Sequence, residues 1–314
     1  MQNIIFTAQI VAPVFLIIAL GYLLKRTSII TDNFVTVTSK FVFNVSLPAL
    51  IFFNIAKIDL SKTLNINEIL FIYLFVIGAF LIIWFIGKFF IKEGRDLGTF
   101  IHGSYRSNFA IIGFAVISSV FGVQALGKSS LILAFILPLN NILAVIALTV
   151  PINKEKSINY KNILKEIITN PLIISVIAGL PFSYFQFSIH PVITKAGGYL
   201  ASIALPLALV GIGANLNIKE LKKASTYAFA SSSIKLIFLP LVGTFLAYEF
   251  GFKGQDLGLL FILFACPTAI VSFIMADAMG SNSKLAGNIV LITTLGSIIT
   301  ITLGIFLLRE FNLI

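Results

Sequence analysis

Asn108, Pro267 and Lys235 are the residues of this chain whose types and surroundings could do chemistry. Pro267 stands in FACPTAIVSF (Phe264–Phe273), inside an apolar run with no charge between Leu257 and Met275. A proline there removes one helical N–H and displaces the carbonyl four residues back. In an apolar medium the freed backbone groups survive only where they face protein or a water-filled cavity. Asn108 opens NFAIIGF (Asn108–Phe114), which lies over PTAIVSF (Pro267–Phe273) at an offset of 159 and shares Ala, Ile and Phe with it. Two helices broken at these points would aim unpaired N–H groups and partial positive charge at one spot. Such a spot binds anions. Asn108 and Thr268 would add side-chain donors there, with Ser107 and Cys266 beside them. The blander alternative for Pro267 is an ordinary kink repaired by neighbouring helices.

Lys235 sits near the middle of the apolar stretch SSSIKLIFLP, where a lysine costs roughly 2.5–3.5 kcal/mol on insertion scales. Two readings stay open for it. It supplies fixed charge or carries a proton, or it pairs with carbonyls and hydroxyls that broken helices expose. Asn140 and Asn141 in PLNNILAV either line the site or act as interhelical glue. Ser46 and Leu47, at the Leu47-Pro48 pair, are further candidate contacts. Arg106, shallower in its span, either draws anions in from the cytoplasm or anchors at the interface, the second being favoured, and Asn170 reads as the cap of a helix opening at Pro171. No acidic residue falls at the centre of an apolar run, so neither a carboxylate proton relay nor a sodium site built on aspartates has material here. One cysteine excludes an intramolecular disulfide, and His102 and His190 have no metal-ligand spacing. No Ser-His-Asp, HExxH or phosphate-loop pattern is present, and no cofactor is expected.

The elements that position these residues are long and apolar. The 314 residues are 58% hydrophobic and 11% charged, against about a quarter charged for a soluble domain. The apolar blocks run about 20 residues each, enough to cross about 30 Å of hydrocarbon. They read as ten spans, at about 5–24, 35–56, 68–91, 99–121, 129–150, 163–184, 192–214, 224–248, 257–278 and 285–308. This is an all-α integral membrane protein. No basic residue precedes Lys25, so the first block is expected to stay as a span rather than be cleaved.

Lysine and arginine gather in the loops after spans 1, 3, 5, 7 and 9, which places those loops in the cytoplasm and both termini outside. That topology accounts for most of the net charge of +10. The basic residues are scattered over short loops, and nucleic acid is not a partner. The longest loop, PINKEKSINYKN from Pro151, leaves no room for a soluble domain.

A repeat is hidden at one offset. Pro13 and Pro171, Gly21 and Gly179, and Leu47-Pro48 and Leu205-Pro206 are each 158 positions apart. Spans 1–5 (1–155) and spans 6–10 (156–314) therefore read as two copies. An odd number of spans per copy inverts the second, the architecture of many secondary carriers. Both broken spans, 4 and 9, would then cross at the midplane.

The chain resembles the auxin efflux carrier family, which includes plant PIN-formed auxin carriers and bacterial malate and malonate permeases. The matching stretches are NVSLPALIFFNIAKI, RSNFAIIGF, ITNPLIISVIAGL, ALPLALVGIGANL, IKLIFLP and CPTAIVSFIMA, in that order across nearly the whole chain. The resemblance implies a scaffold of spans 1, 2, 6 and 7, a transport domain of spans 3–5 and 8–10, an elevator-like movement and a homodimer through the scaffold. It also implies a substrate carboxylate at the crossover, with an asparagine matching Asn108, a proline matching Pro267 and a basic residue matching Lys235. Ser107 stands where plant carriers have proline, and Thr268 where they have glutamine. Asn140-Asn141 replace a more apolar pair, and the long plant loop is absent. These departures fit a small aliphatic carboxylate better than auxin.

The reading is a secondary transporter of a small organic anion in the cell membrane, with uniport, proton coupling and antiport all open. Its first rival is a cation/proton antiporter of similar broken-helix design. A receptor lacks an output domain, and an intramembrane enzyme lacks catalytic side chains.

Overall fold

A computed structural model of the chain describes residues 2–152, 165 and 168–314. Every regular element among the described residues is helical. In chain order the described helices of eight residues or more are α1 (Gln2–Arg26), α2 (Asp32–Lys57), α3 (Ile66–Phe90), α4 (Gly94–Tyr105), α5 (Phe114–Phe121) and α6 (Ala125–Thr149). Further along the chain come α7 (Pro171–Phe185), α8 (Pro191–Ala214), α9 (Thr226–Glu249), α10 (Gly254–Ala265), α11 (Val271–Ala278) and α12 (Ser283–Glu310). Seven of them, α1, α2, α3, α6, α8, α9 and α12, are long and apolar enough to cross a membrane. Expected span 4 comes as the pair α4 and α5, and expected span 9 as α10 and α11. The loop lysines Lys154, Lys156 and Lys161, the first residues of expected span 6 and the 155/156 boundary lie outside the described residues.

Helix starts are written locally. Asn65, Asn170, Ser225 and Asn282 each accept a backbone N–H from the first turn of the helix that follows, as Asx and Ser caps do. Outward faces are apolar as well as inward ones. On α3, Leu74, Leu81, Ile82, Phe85 and Phe89 are exposed while Phe71, Ile72, Val76 and Phe80 are buried. A helix apolar all round belongs in lipid.

Leu-Pro pairs follow irregular turns in three helices. A π turn, Val42–Ser46, precedes Leu47-Pro48 in α2, and another, Ile234–Phe238, precedes Leu239-Pro240 in α9. In α8 the helix breaks at Ile203, one turn before Pro206. Each irregular turn contains or adjoins the carbonyl that the proline ring would strike.

α1 packs along the second half of α8, and the second half of α2 packs on α7 and on the first half of α8. Small residues permit the approach. A β-carbon at Gly213 would strike the Ile18 carbonyl, and one at Gly21 would strike Val210. Gly198, also in α8, has open space around it. Gly213→Leu should therefore lower stability by about 1–3 kcal/mol or more, whereas Gly198→Ala should be neutral or better. Thermal unfolding of the purified proteins checks this, and equal midpoints would exclude the close packing.

Candidate functional site

α4 ends because the chain turns extended at Arg106 (φ −66°, ψ 122°), and α10 ends at Cys266 (φ −56°, ψ 141°). The helices resume through the π turn Phe109–Gly113 into α5, and at Val271 into α11. The two interruptions meet. Asn108 N–H donates to the Pro267 carbonyl at 2.8 Å.

Each interruption satisfies the other's loose ends. Pro267 has no N–H for the Leu263 carbonyl, and the Ser107 hydroxyl donates to that oxygen at 2.7 Å. The Thr268 hydroxyl donates to the Gly103 carbonyl at 2.7 Å. Thr268 N–H turns away from α10 to the Thr293 hydroxyl on α12, 3.1 Å away. The Phe264 carbonyl, which a continuous helix would offer to Thr268, takes the Lys235 ammonium at 2.6 Å instead. Lys235 is 1% exposed, so this cation lies buried at the negative end of α10. What remains at the junction is the positive end of each resumed helix, where the first closing bonds run from Ile112 and Gly113 N–H to the Asn108 carbonyl and from Ser272 and Phe273 N–H to the Ala269 and Ile270 carbonyls.

The remaining candidates fall into three groups. Asn108, Cys266 and Thr268 are buried at the junction, with Cys266 Sγ packed against Gly113. Asn140 and Asn141 face it from α6. The Asn140 carbonyl accepts from the Tyr105 hydroxyl at 3.2 Å, and Asn141 Oδ1 from Arg106 Nη2 at 3.0 Å. A cavity of about 20 Å³ among Tyr105, Ser107, Asn140, Lys235 and Leu263 has room for one water. Ser46 ends the π turn of α2, which packs against α7 and α8, and Leu47 follows it. Ser46 Oγ is buried with no hydrogen-bond partner, so nothing polar ties it to the junction.

Two larger cavities flank the site. One of about 440 Å³ lies between α1, α2, α8 and α5, touching Val14, Leu50, Ala115, Ser118 and Leu205. The other, also about 440 Å³, lies between α8, α11 and α12, touching Asn215, Ile270, Phe273, Asn288 and Thr294. Each borders the helix that resumes after one interruption.

Arg106 is a correction. It is not an interfacial anchor: its side chain is 5% exposed and bonded inward to Asn141. The sequence reading also missed an ion cluster. Lys128 Nζ lies 2.9 Å from Glu68 Oε2 and 2.6 Å from Asp256 Oδ1, joining the first turns of α3, α6 and α10. Glu68 is 1% exposed there. Thr293, which holds Thr268, was missed too; its one sequence signal is the pair Thr293-Thr294 inside an apolar helix.

Comparison with known proteins adds a family. The model of the family described as "Membrane transport protein" matches residues 6–305. The chain is 24% identical over 305 residues to an uncharacterized transporter of Methanocaldococcus jannaschii, covering 94% of this chain and 96% of the relative. It is 25% identical over 312 residues to a Rhizobium meliloti protein named "Putative malonate transporter", covering 96% and 95%. Similarity to the uncharacterized transporter YfdV of Escherichia coli is 23% over 318 residues, covering 95% and 96%.

Proposed function

The chain belongs to the membrane transport protein family, and from that premise we propose that it is a secondary carrier of a small organic anion bound where α4–α5 and α10–α11 meet. The observation that carries this reading is the 2.8 Å bond from Asn108 N–H to the Pro267 carbonyl, which brings two resumed helix starts to one place. Such starts favour a carboxylate. Lys235 and Arg106 are buried near the junction, and neither has a carboxylate partner among the described residues. The Rhizobium meliloti relative carries malonate in its name, which supports a short aliphatic carboxylate.

In this reading the protein has ten spans in two inverted copies, 1–155 and 156–314, with both termini outside the cytoplasm. Two features support the inversion. The first helix of each copy packs on the second helix of the other, α1 on α8 and α7 on α2. Asp96 and Asp256, in the first turns of the two interrupted spans, each bind the start of the helix that follows the other interrupted span. Asp96 takes Asn282 Nδ2 at 2.7 Å, and Asp256 takes Lys128. α1, α2, α7 and α8 form the scaffold and the dimer contact. The other helices carry the site past it as an elevator, opening it by turns to the two flanking cavities. Proton coupling is compatible with this arrangement. The cation/proton antiporter alternative needs a buried carboxylate at the junction; Glu68 and Asp256 are instead committed to Lys128 at their helix starts.

The test is thermal stability of the purified protein against malonate, malate and monocarboxylates, with Asn108→Ala as control. A ligand at a hundredfold excess over its Kd should stabilise the parent by about 2.7 kcal/mol and the variant by much less. If no anion shifts the parent, the anion-carrier reading falls.

A further inference from the structure

We propose that Arg106 is the specificity-determining residue of the site, pairing through Nη1 with a second carboxylate that monocarboxylates lack. The inference rests on the carrier reading above and adds a second charge to the ligand. Arg106 stands two residues before Asn108, so their Cα atoms are at most about 7 Å apart. Its guanidinium is buried, one terminal nitrogen is fastened to Asn141 Oδ1, and Nη1 has no hydrogen-bond partner. No carboxylate lies within 4 Å of it among the described residues.

A buried guanidinium without a counter-ion is half of an ion pair, and leaving such a charge uncompensated is strongly destabilising. Planar, multi-donor geometry makes arginine suited to a carboxylate rather than to a lone carbonyl. One turn back on α4, His102 Nε2 is buried and also without a partner, so unsatisfied polar atoms gather beside the junction. A monoanion seated on the resumed helix starts would leave Nη1 unused. A three- or four-carbon dianion would occupy the helix starts with one carboxylate and Arg106 with the other. Asn141, half-buried on α6, holds the fork in place.

The experiment compares malonate and propionate binding, two ligands of equal carbon number, in the parent, Arg106→Gln, Arg106→Lys and Asn141→Asp. Arg106→Gln should weaken malonate at least tenfold and leave propionate within twofold, with Arg106→Lys recovering part of the loss. Asn141→Asp keeps the arginine and gives it an internal counter-ion, so it should lower malonate binding selectively even if the Arg106 variants fail to fold. Equal losses for both ligands would reduce Arg106 to a structural part and overturn the proposal. So would unchanged malonate binding in either Arg106→Gln or Asn141→Asp. A parent that binds propionate and malonate alike sinks this inference alone, whereas a parent that binds neither sinks the carrier reading with it.

Discussion

Lys128→Ala should destabilise the folded protein by about 3–5 kcal/mol, the cost of leaving a buried partner charge unpaired. Lys128 bridges Glu68 and Asp256 from a position that is itself 15% exposed. Asp256 is 35% exposed and can turn to water, so its share of the loss is small. Glu68 cannot: its carboxylate is 1% exposed, and its second oxygen, Oε1, already has no partner. Adding Glu68→Gln to Lys128→Ala should recover much of the loss, because the uncompensated charge goes with it. Unfolding midpoints of the two single variants and the double variant give the coupling. A Lys128→Ala protein as stable as the parent would mean that the cluster is solvated in practice.

Lys235→Met should separate stability from transport. The substitution removes a charge-assisted bond to the Phe264 carbonyl, worth about 1.5–3 kcal/mol. It also removes the desolvation cost of a buried ammonium, which offsets part of that loss. The folded protein should therefore persist. Uptake should not. If a carboxylate binds about 8 Å away, the ammonium contributes about 2 kcal/mol at an effective dielectric of 20, roughly thirtyfold in affinity. Uptake of labelled malonate into proteoliposomes measures this. Retained uptake by a folded Lys235→Met protein would leave the ammonium as a clasp on Phe264 and nothing more.

The sequence carried the positions of the helices and of the Pro267 interruption, because apolar length and a missing N–H are properties of single segments. It also pointed to Asn108, although no proline lies near it, through the shared Ala, Ile and Phe of the two stretches. Partner identity was not legible. Nothing in the sequence says that Thr268 N–H leaves α10 for Thr293, or that Ser107 reaches Leu263. Those choices depend on how two helices cross. Arg106 was misjudged for the same reason. Its place within its own span does not show that α6 brings Asn141 against it. Glu68, Lys128 and Asp256 each look like an ordinary charge at a helix end, and only the convergence of three such ends makes them a cluster.

The mutual bracing of the two interruptions also dictates an order of events during biosynthesis. Ser107 meets its acceptor 156 residues further along the chain, and the Gly103 carbonyl meets its donor 165 residues further along. When the ribosome has delivered only the first five spans, the gap between α4 and α5 has none of these partners. The junction is thus complete only once α12, which supplies Thr293, has joined α10 and α11.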